Sequence, residues 1–391
     1  MKNITLNLRL ENDHPIYLNI DYLRQYEEEL AMFLEDIDYM DTKKFAESVL
    51  FNEEIKSNNN IEGINDDLAF IDKVIKNSYE NNINNNLRII NLYKGYKYIL
   101  THKDINKESL CELYQILSDG LLSSFDKARM GEYYRKGEVT ILRGGHYIDE
   151  SYIRIYEDKF LCGNPYAGVS ADKIDYYMNK LLEYINTSGD EISTFLKSQI
   201  IHFYFVYIHP YFDVNGRTSR TVAMWYLLNN NSYPYIIFNR AIAFNYKHYE
   251  ENLIKGKSTG NVTLFLKYMI VSVLIELEKE NLIHNIKETS GVVLSKEESE
   301  ILEYFISTNG NLTIKDLAMI YNKNNVKKKI IDIYEEKIKP LVNKKILIEE
   351  RDTSSYIYNN IHNKFLVLNK ENIGLDSSKT KHLKLTKYIN N

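Results

Sequence analysis

The sequence predicts a mainly α-helical protein with one small β-hairpin in its middle and a compact tail of its own. Three observations carry this. Apolar residues recur at three- and four-residue steps through most of the chain, as in Ile192, Phe195, Leu196, Ile200, Phe203 and Tyr207; that is helical spacing. Tyr133, Tyr134, Val139, Thr140, Ile141 and Leu142 instead favour strand, and Gly144-Gly145 after them is a hairpin turn signal. Beyond residue 290, three helical runs are followed by two short apolar segments around a polar turn.

Taken in order, residues 1–40 hold two short ambiguous segments and a few helical turns. Asp41 to Asn58 is helical in pattern, with Phe45, Val49, Leu50 and Ile55 as core positions. The next residues, Asn58-Asn59-Asn60-Ile61-Glu62-Gly63-Ile64, read locally as a helix end, because Asn and Gly are common around a C-cap. After a polar break at 81–86, helical runs start at Leu87 and at Lys107 and extend to Leu121. An isolated hairpin such as Gly131 to Ile148 needs something to pack on, and its exposed edge could take up a peptide as an added strand. Arg135 and Arg143 beside it could face phosphate or solvent, and solvent is the expectation. Asn239 to Leu253 is rich in Tyr and Asn, and Thr263 to Ile275 reads as a buried helix.

In the tail, Glu297–Ile306, Ile314–Tyr321 and Val326–Leu341 read as helices. Thr313 is placed to cap the second, with Asp316 at the capping-box position. Ile346–Glu349 and Tyr356–Tyr358 flank a polar turn. The order resembles a winged helix-turn-helix. Lys327, Lys328 and Lys329 at the third helix could meet DNA phosphates, or the module could serve protein contact or dimerisation. The expected division is 1–85 as a helical front, 86–280 as the body and 290–391 as the tail.

The chemistry concentrates between two helical patterns, in His209-Pro210-Tyr211-Phe212-Asp213-Val214-Asn215-Gly216-Arg217-Thr218-Ser219-Arg220. Pro210 disfavours helix at His209, so the chain turns there. A second helix then starts, and its free backbone N–H groups and positive dipole suit an anion. Asn215-Gly216 allows successive N–H groups to converge. Arg217 and Arg220, three residues apart, share a helix face and could fork a polyphosphate. Asp213 is a hard oxygen ligand suited to Mg²⁺. His209 titrates near neutrality and could take a proton from a hydroxyl. These are the parts that phosphoryl or nucleotidyl transfer needs.

The stretch resembles the signature of Fic-domain proteins, His-Pro-Phe-x-Asp/Glu-Gly-Asn-Gly-Arg-x-x-Arg, at His209, Pro210, Asp213, Asn215, Gly216, Arg217 and Arg220. The resemblance implies a Fic-type helical bundle that transfers AMP from ATP, with Mg²⁺, to a Ser, Thr or Tyr hydroxyl of a target protein or of itself. It implies His209 as base and Asp213 as Mg²⁺ ligand. Asn215, Gly216, Arg217 and Arg220 would cradle the triphosphate, and Tyr246, Tyr249 and Asn252 would contact the nucleoside. Val139, Thr140, Ile141 and Leu142 would form a flap that docks the target. Gly216 stands where the kinase-like Doc branch commonly carries Lys. Ile61-Glu62-Gly63 resembles the end of the inhibitory helix found in many Fic proteins, with Asn58 at its Ser/Thr position. Glu62 would then restrain Arg220. One departure is Val214, at the family's first Gly. If that position needs positive φ, a β-branched residue is strained there by about 1–3 kcal/mol, which leaves rate and nucleotide choice open.

Composition narrows the classes. With 44% hydrophobic and 26% charged residues, the 391-residue chain can bury sizeable cores. The first residues carry no apolar run of a signal peptide, and no run is long enough to span a membrane. Cys111 and Cys162 are far apart, with no CxxC pair, and are expected as buried, reduced thiols. The nine histidines lack ligand spacing. The expectation is a cytoplasmic, zinc-free protein without a membrane partner; a homodimer fits the tail's second reading. The stretch from Gly291 to Asn391 has 17 Lys+Arg against 13 Asp+Glu, so the acidic excess lies in the rest of the chain. Two functional readings follow: an AMP transferase restrained by Glu62, or a nucleotide-sensing DNA-binding regulator with a weak or inactive Fic body. The presence of both His209 and Asp213 favours the first.

Overall fold

The computed structural model describes residues 2–35, 51–79, 86–139, 167–188, 191–244, 246–290, 293–307, 312–350 and 365–369. The chain divides into two compact units, one of residues 1–64 and 68–273 and one of 65–67 and 274–391. Most described elements are helical, as expected. No helix among the described residues is long and apolar enough to cross a membrane.

The first unit opens with strands β1 (Asn3–Arg9) and β2 (Pro15–Asn19), paired antiparallel, then α1 (Ile20–Glu35). The sequence left this region ambiguous. Leu6, Leu8 and Leu10 are buried while their neighbours are not, the period-two pattern of a half-buried strand. Helix α2 (Asn52–Ile61) leads to α3 (Leu68–Tyr79), α4 (Leu87–Thr101), α5 (Lys107–Ser118) and α6 (Ser124–Arg129). Of the core positions expected between Asp41 and Asn58, Ile55 is buried within α2; Phe45, Val49 and Leu50 lie outside the described residues. Helix α7 (Ile174–Asn186) precedes the central pair, α8 (Thr194–Ile208) and α9 (Asn215–Asn229). Helices α10 (Phe238–Phe244) and α11 (Tyr246–Thr259) follow, and α12 (Thr263–Ser290) begins in this unit and continues into the second from Leu274.

The core lies around α8. Every residue from Phe195 to Ile208 is buried, and a helix apolar on nearly all sides belongs in the interior. Ser193 caps its start by accepting from Leu196 N–H at 3.2 Å. Helix α9 packs along α8 and also touches α4 and α5, while α2 packs on α10. The two helices that bracket the signature are thus fixed by the densest part of the unit.

In the expected flap, residues 131–138 form turns and bends, with a single bridge between Met130 and Arg135. Val139 is described; Thr140, Ile141, Leu142 and Arg143 lie outside the described residues. Arg135 corrects an expectation: it does not face solvent but is buried at 2% exposure, for a reason given below.

The second unit contains α13 (Lys296–Ser307), β3 (Leu312–Thr313), α14 (Ile314–Asn324) and α15 (Ile330–Ile333), which continues through a π turn (Tyr334–Ile338) into α16 (Lys339–Asn343). Strands β4 (Leu347–Glu350) and β5 (Phe365–Leu368) close an antiparallel sheet in the order β3-β5-β4. Thr313 and Asp316 form the expected capping box. The partner of β4 is β5; Tyr356–Tyr358, expected in that role, lie outside the described residues. Ile301, Phe305, Ile314, Leu317, Ile338 and Leu366 build the unit's apolar core.

Candidate active site

The turn between α8 and α9 is built from two left-handed residues. His209 ends α8 at φ 53°, and Val214 precedes α9 at φ 66°. Positive φ at a β-branched residue is strained, so Val214 does sit where a glycine would be easier, with its side chain buried at 3% exposure. Between them, Tyr211 is fully buried and stacks on Tyr114 at 3.5 Å between ring centroids. Asn215 braces the loop in both directions: Tyr211 N–H donates to its Oδ1 at 2.9 Å, and its Nδ2 donates to Tyr211 C=O at 2.8 Å. Its side chain is therefore committed to shaping the turn.

The end of a helix leaves carbonyls without partners, and here named groups satisfy them. Val169 N–H donates to Ile208 O at 3.2 Å, and Arg135 N–H donates to Pro210 O at 3.0 Å. Arg135 Nε donates to His209 O at 2.9 Å, and its other nitrogens donate to Gly137 O and Val169 O, each at 2.5 Å. Lys257, buried at 2% exposure on α11, donates to Val206 O at 3.1 Å. These contacts explain why Arg135 is inside. Its planar fork ties the segment before residue 140 and the segment after 166 to the histidine's own peptide. Neither Arg135 nor Lys257 was recognised from sequence as part of this site.

Burial holds the His209 imidazolium down to about 3, and the charges of Lys257 and Arg135 add to the effect. Its imidazole is neutral at neutral pH, as a proton acceptor must be. Burial likewise lowers Lys257 to about 7. Asp213 is 57% exposed; its Oδ1 accepts from Val214 N–H at 2.6 Å and lies 3.9 Å from Arg217 Nη2. No group of three or more His, Cys, Asp or Glu side chains suited to a metal occurs among the described residues. A lone exposed carboxylate fits a cation that takes its remaining oxygens from phosphate and water, as Mg²⁺ does.

The two arginines of α9 are interior groups, Arg217 at 5% and Arg220 at 2% exposure. Arg220 is clasped from α2. Its Nε and Nη2 donate to Asn58 Oδ1 at 2.9 and 2.7 Å, and Nη2 also donates to Glu62 Oε1 at 2.6 Å. Asn58 Nδ2 in turn donates to Tyr96 Oη at 2.9 Å. The Glu62 carboxylate lies against the first turn of α9: a Cβ on Gly216 would stand 2.8 Å from Glu62 Oε1 and 3.0 Å from Arg220 Nη1. Burial alone would raise the Glu62 carboxyl, but Arg220, Arg217 and Arg88 hold it below the ordinary carboxylate range. Arg88, exposed at the start of α4, is a third cation that no local motif announced. A carboxylate held at a helix N-terminus among three arginines marks a site built for anions.

The residues expected around the nucleoside divide. Tyr246 is half-buried. Burial raises its hydroxyl to about 12, with Glu250 and Glu62 adding to the shift, and its ring lies 5.9 Å from that of Tyr249. Tyr249 is 4% exposed, and its hydroxyl meets His202 Nε2 at 2.8 Å in the core. Asn252 is half-buried and donates to His248 O.

Residues 104–227 match the Fic/DOC family, a span that encloses the whole stretch from His209 to Arg220. A Fic family protein from Desulfovibrio desulfuricans G20 shares the fold, with a TM-score of 0.53 at 15% identity, over 88% of this chain and 95% of that one. No curated protein matches the chain. The helix-bracketed turn, with its left-handed histidine and its clasped arginine, therefore lies within the segment, 104–227, that matches the Fic/DOC family.

Proposed function

We propose that this protein is an adenylyltransferase that moves AMP from ATP to a hydroxyl on a target protein or on itself, restrained by Glu62. The observation that carries the reading is the Glu62 carboxylate seated between Arg220 and Gly216 at the start of α9. It occupies the kind of place where a terminal phosphate would bind.

In this reading the first turn of α9, Arg217 and Arg220 bind the triphosphate, with Tyr246 and Asn252 toward the nucleoside. Tyr249 acts through the packing that holds Tyr246 and His202. Asp213 would hold Mg²⁺, which when bound offsets phosphate charge. His209 takes the proton of a target Ser, Thr or Tyr hydroxyl. The oxygen attacks the α-phosphorus, the bond from that phosphorus to the bridging oxygen breaks, and pyrophosphate leaves. The proton rests on His209. Negative charge bound nearby favours the imidazolium and offsets the depression by Lys257 and Arg135. The segment from Val139 to Leu142 would dock the target. For the tail, exposed Lys327 and Lys329 stand among exposed Asp332, Glu335 and Glu336, and Glu335 and Glu336 pair with Lys339 and Lys328. This balance supports contact with protein, a second copy included, over DNA.

The test is label transfer from α-³²P-ATP with Mg²⁺ in wild type, Glu62→Gly and His209→Ala. Label is expected to rise at least about tenfold in Glu62→Gly, the shift for losing about 1.4 kcal/mol of pairing, and to vanish in His209→Ala. Label in wild type without a rise in Glu62→Gly would remove the restraint and keep the enzyme. Persistent label in His209→Ala would remove the base.

A further inference from the structure

We infer that Asn58 is a positioning residue for Arg220: it fixes the guanidinium for the outer phosphates of the nucleotide and persists in that role once Glu62 has left. The inference deepens the reading above and rests on it.

The clasp on Arg220 has two parts of different chemistry. Glu62 supplies one contact, a charged oxygen at 2.6 Å from Nη2, on a side chain about 35% exposed. Asn58 supplies two contacts through one fully buried carbonyl oxygen, at 2.9 Å from Nε and 2.7 Å from Nη2. A carbonyl oxygen has two lone pairs in a plane, so it can take both donors along one edge of the guanidinium. The opposite nitrogen, Nη1, then faces the first turn of α9, at 3.0 Å from where a Gly216 Cβ would stand. Nothing in this arrangement requires Glu62. Removing that carboxylate leaves Nε and Nη2 on Asn58 and leaves Nη1 directed at the anion site.

Asn58 is itself held. Its Nδ2 donates to Tyr96 Oη, a hydroxyl buried on α4. This sets which end of the amide faces Arg220, because an amide turned over would present N–H groups to a cation. Asn58 is also neutral. It orients the arginine without discharging it, whereas Glu62 both orients and neutralises. A neutral acceptor suits a residue that must stay in place while an anionic substrate binds; a carboxylate suits one that must compete with that substrate. The two side chains therefore have opposite consequences, although both touch Arg220 from the same helix.

Nucleotide affinity of the full chain decides this. ATP and AMP dissociation constants, with Mg²⁺, are measured by calorimetry for Glu62→Gly, Glu62→Gly/Asn58→Ala and Glu62→Gly/Tyr96→Phe. Asn58→Ala is expected to weaken ATP about tenfold or more, the scale of a lost charge-assisted hydrogen bond, and to leave AMP unchanged because AMP lacks the outer phosphates. Tyr96→Phe, which keeps the ring, is expected to act in the same direction and less strongly. An equal loss for ATP and AMP would show general damage to the unit and overturn the inference, as would no loss for ATP. A gain in ATP affinity would make Asn58 part of the restraint instead. Failure of Glu62→Gly itself to bind ATP would overturn the underlying reading, and this one with it.

Discussion

At the scale of single residues, the candidate base is held by what surrounds its peptide more than by its ring. Arg135 is central, because one guanidinium serves His209 O, Gly137 O and Val169 O. Removing it strands one buried carbonyl, Val169 O, and two part-buried ones, His209 O and Gly137 O, each of which costs up to about 1–3 kcal/mol when left unpaired. Water entry and relaxation recover part of that cost. Arg135→Met is therefore expected to lose about 3–5 kcal/mol of stability in urea unfolding. Arg135→Lys is expected to recover little, since an ammonium on a flexible stem cannot replace a planar fork. A loss under about 1 kcal/mol would mean that these carbonyls find other partners. The signature residues were legible because their chemistry lies in twelve contiguous positions. Arg135 and Lys257 were not, because their partners are backbone carbonyls 74 and 51 residues away, and a carbonyl carries no mark of its own in a sequence.

At the scale of elements, α2 shows that a structural and a functional reading can hold for the same residues. Asn58 to Gly63 reads as a helix end, and it is one: Glu62 is the C-cap and its N–H donates to Asn59 O, while Gly63 follows at φ 77° and its N–H donates to Asn60 O. The helix end delivers Glu62 to Arg220. Nothing lies within 4 Å of where a Gly63 Cβ would stand, so Gly63→Ala meets only the left-handed backbone penalty of about 1 kcal/mol. That penalty loosens the terminus, and label transfer is expected to rise about fivefold, less than in Glu62→Gly. Transfer at the wild-type rate would separate the geometry of this terminus from the restraint. The helical pairing around the signature and the tail's helices were readable because their periodicity is sustained. The opening hairpin was not, because β1 and β2 are short and their alternation is confined to a few leucines.

At the scale of the molecule, the first unit hides titratable groups in their neutral forms, and its stability must follow pH accordingly. Burial lowers His202 and His209 from 6.5 to about 3, the nearby cations contributing. Between those values the unfolded chain binds more protons than the folded one, so stability is full above about 6.5 and falls as pH drops through that window. Lys257 is lowered by burial from 10.5 to about 7. By the same linkage, its share of stability grows as pH rises from 7, until the buried tyrosines oppose it near their ordinary value of 10. The single tryptophan, Trp225, is fully buried in α9, so its fluorescence reports this unit alone. Its urea midpoint is expected to fall between pH 6.5 and 4 and to rise between pH 7 and 9.5. Lys257→Met is expected to flatten the rise and leave the acid fall in place. His202→Gln, which retains a polar group for the Tyr249 hydroxyl, is expected to shallow the acid fall and leave the rise. A midpoint that stays level from pH 8 to 5 would mean that His202 and His209 take up protons in the folded protein as readily as in the unfolded chain, and His209 would then lose the neutral ring on which its role as base depends.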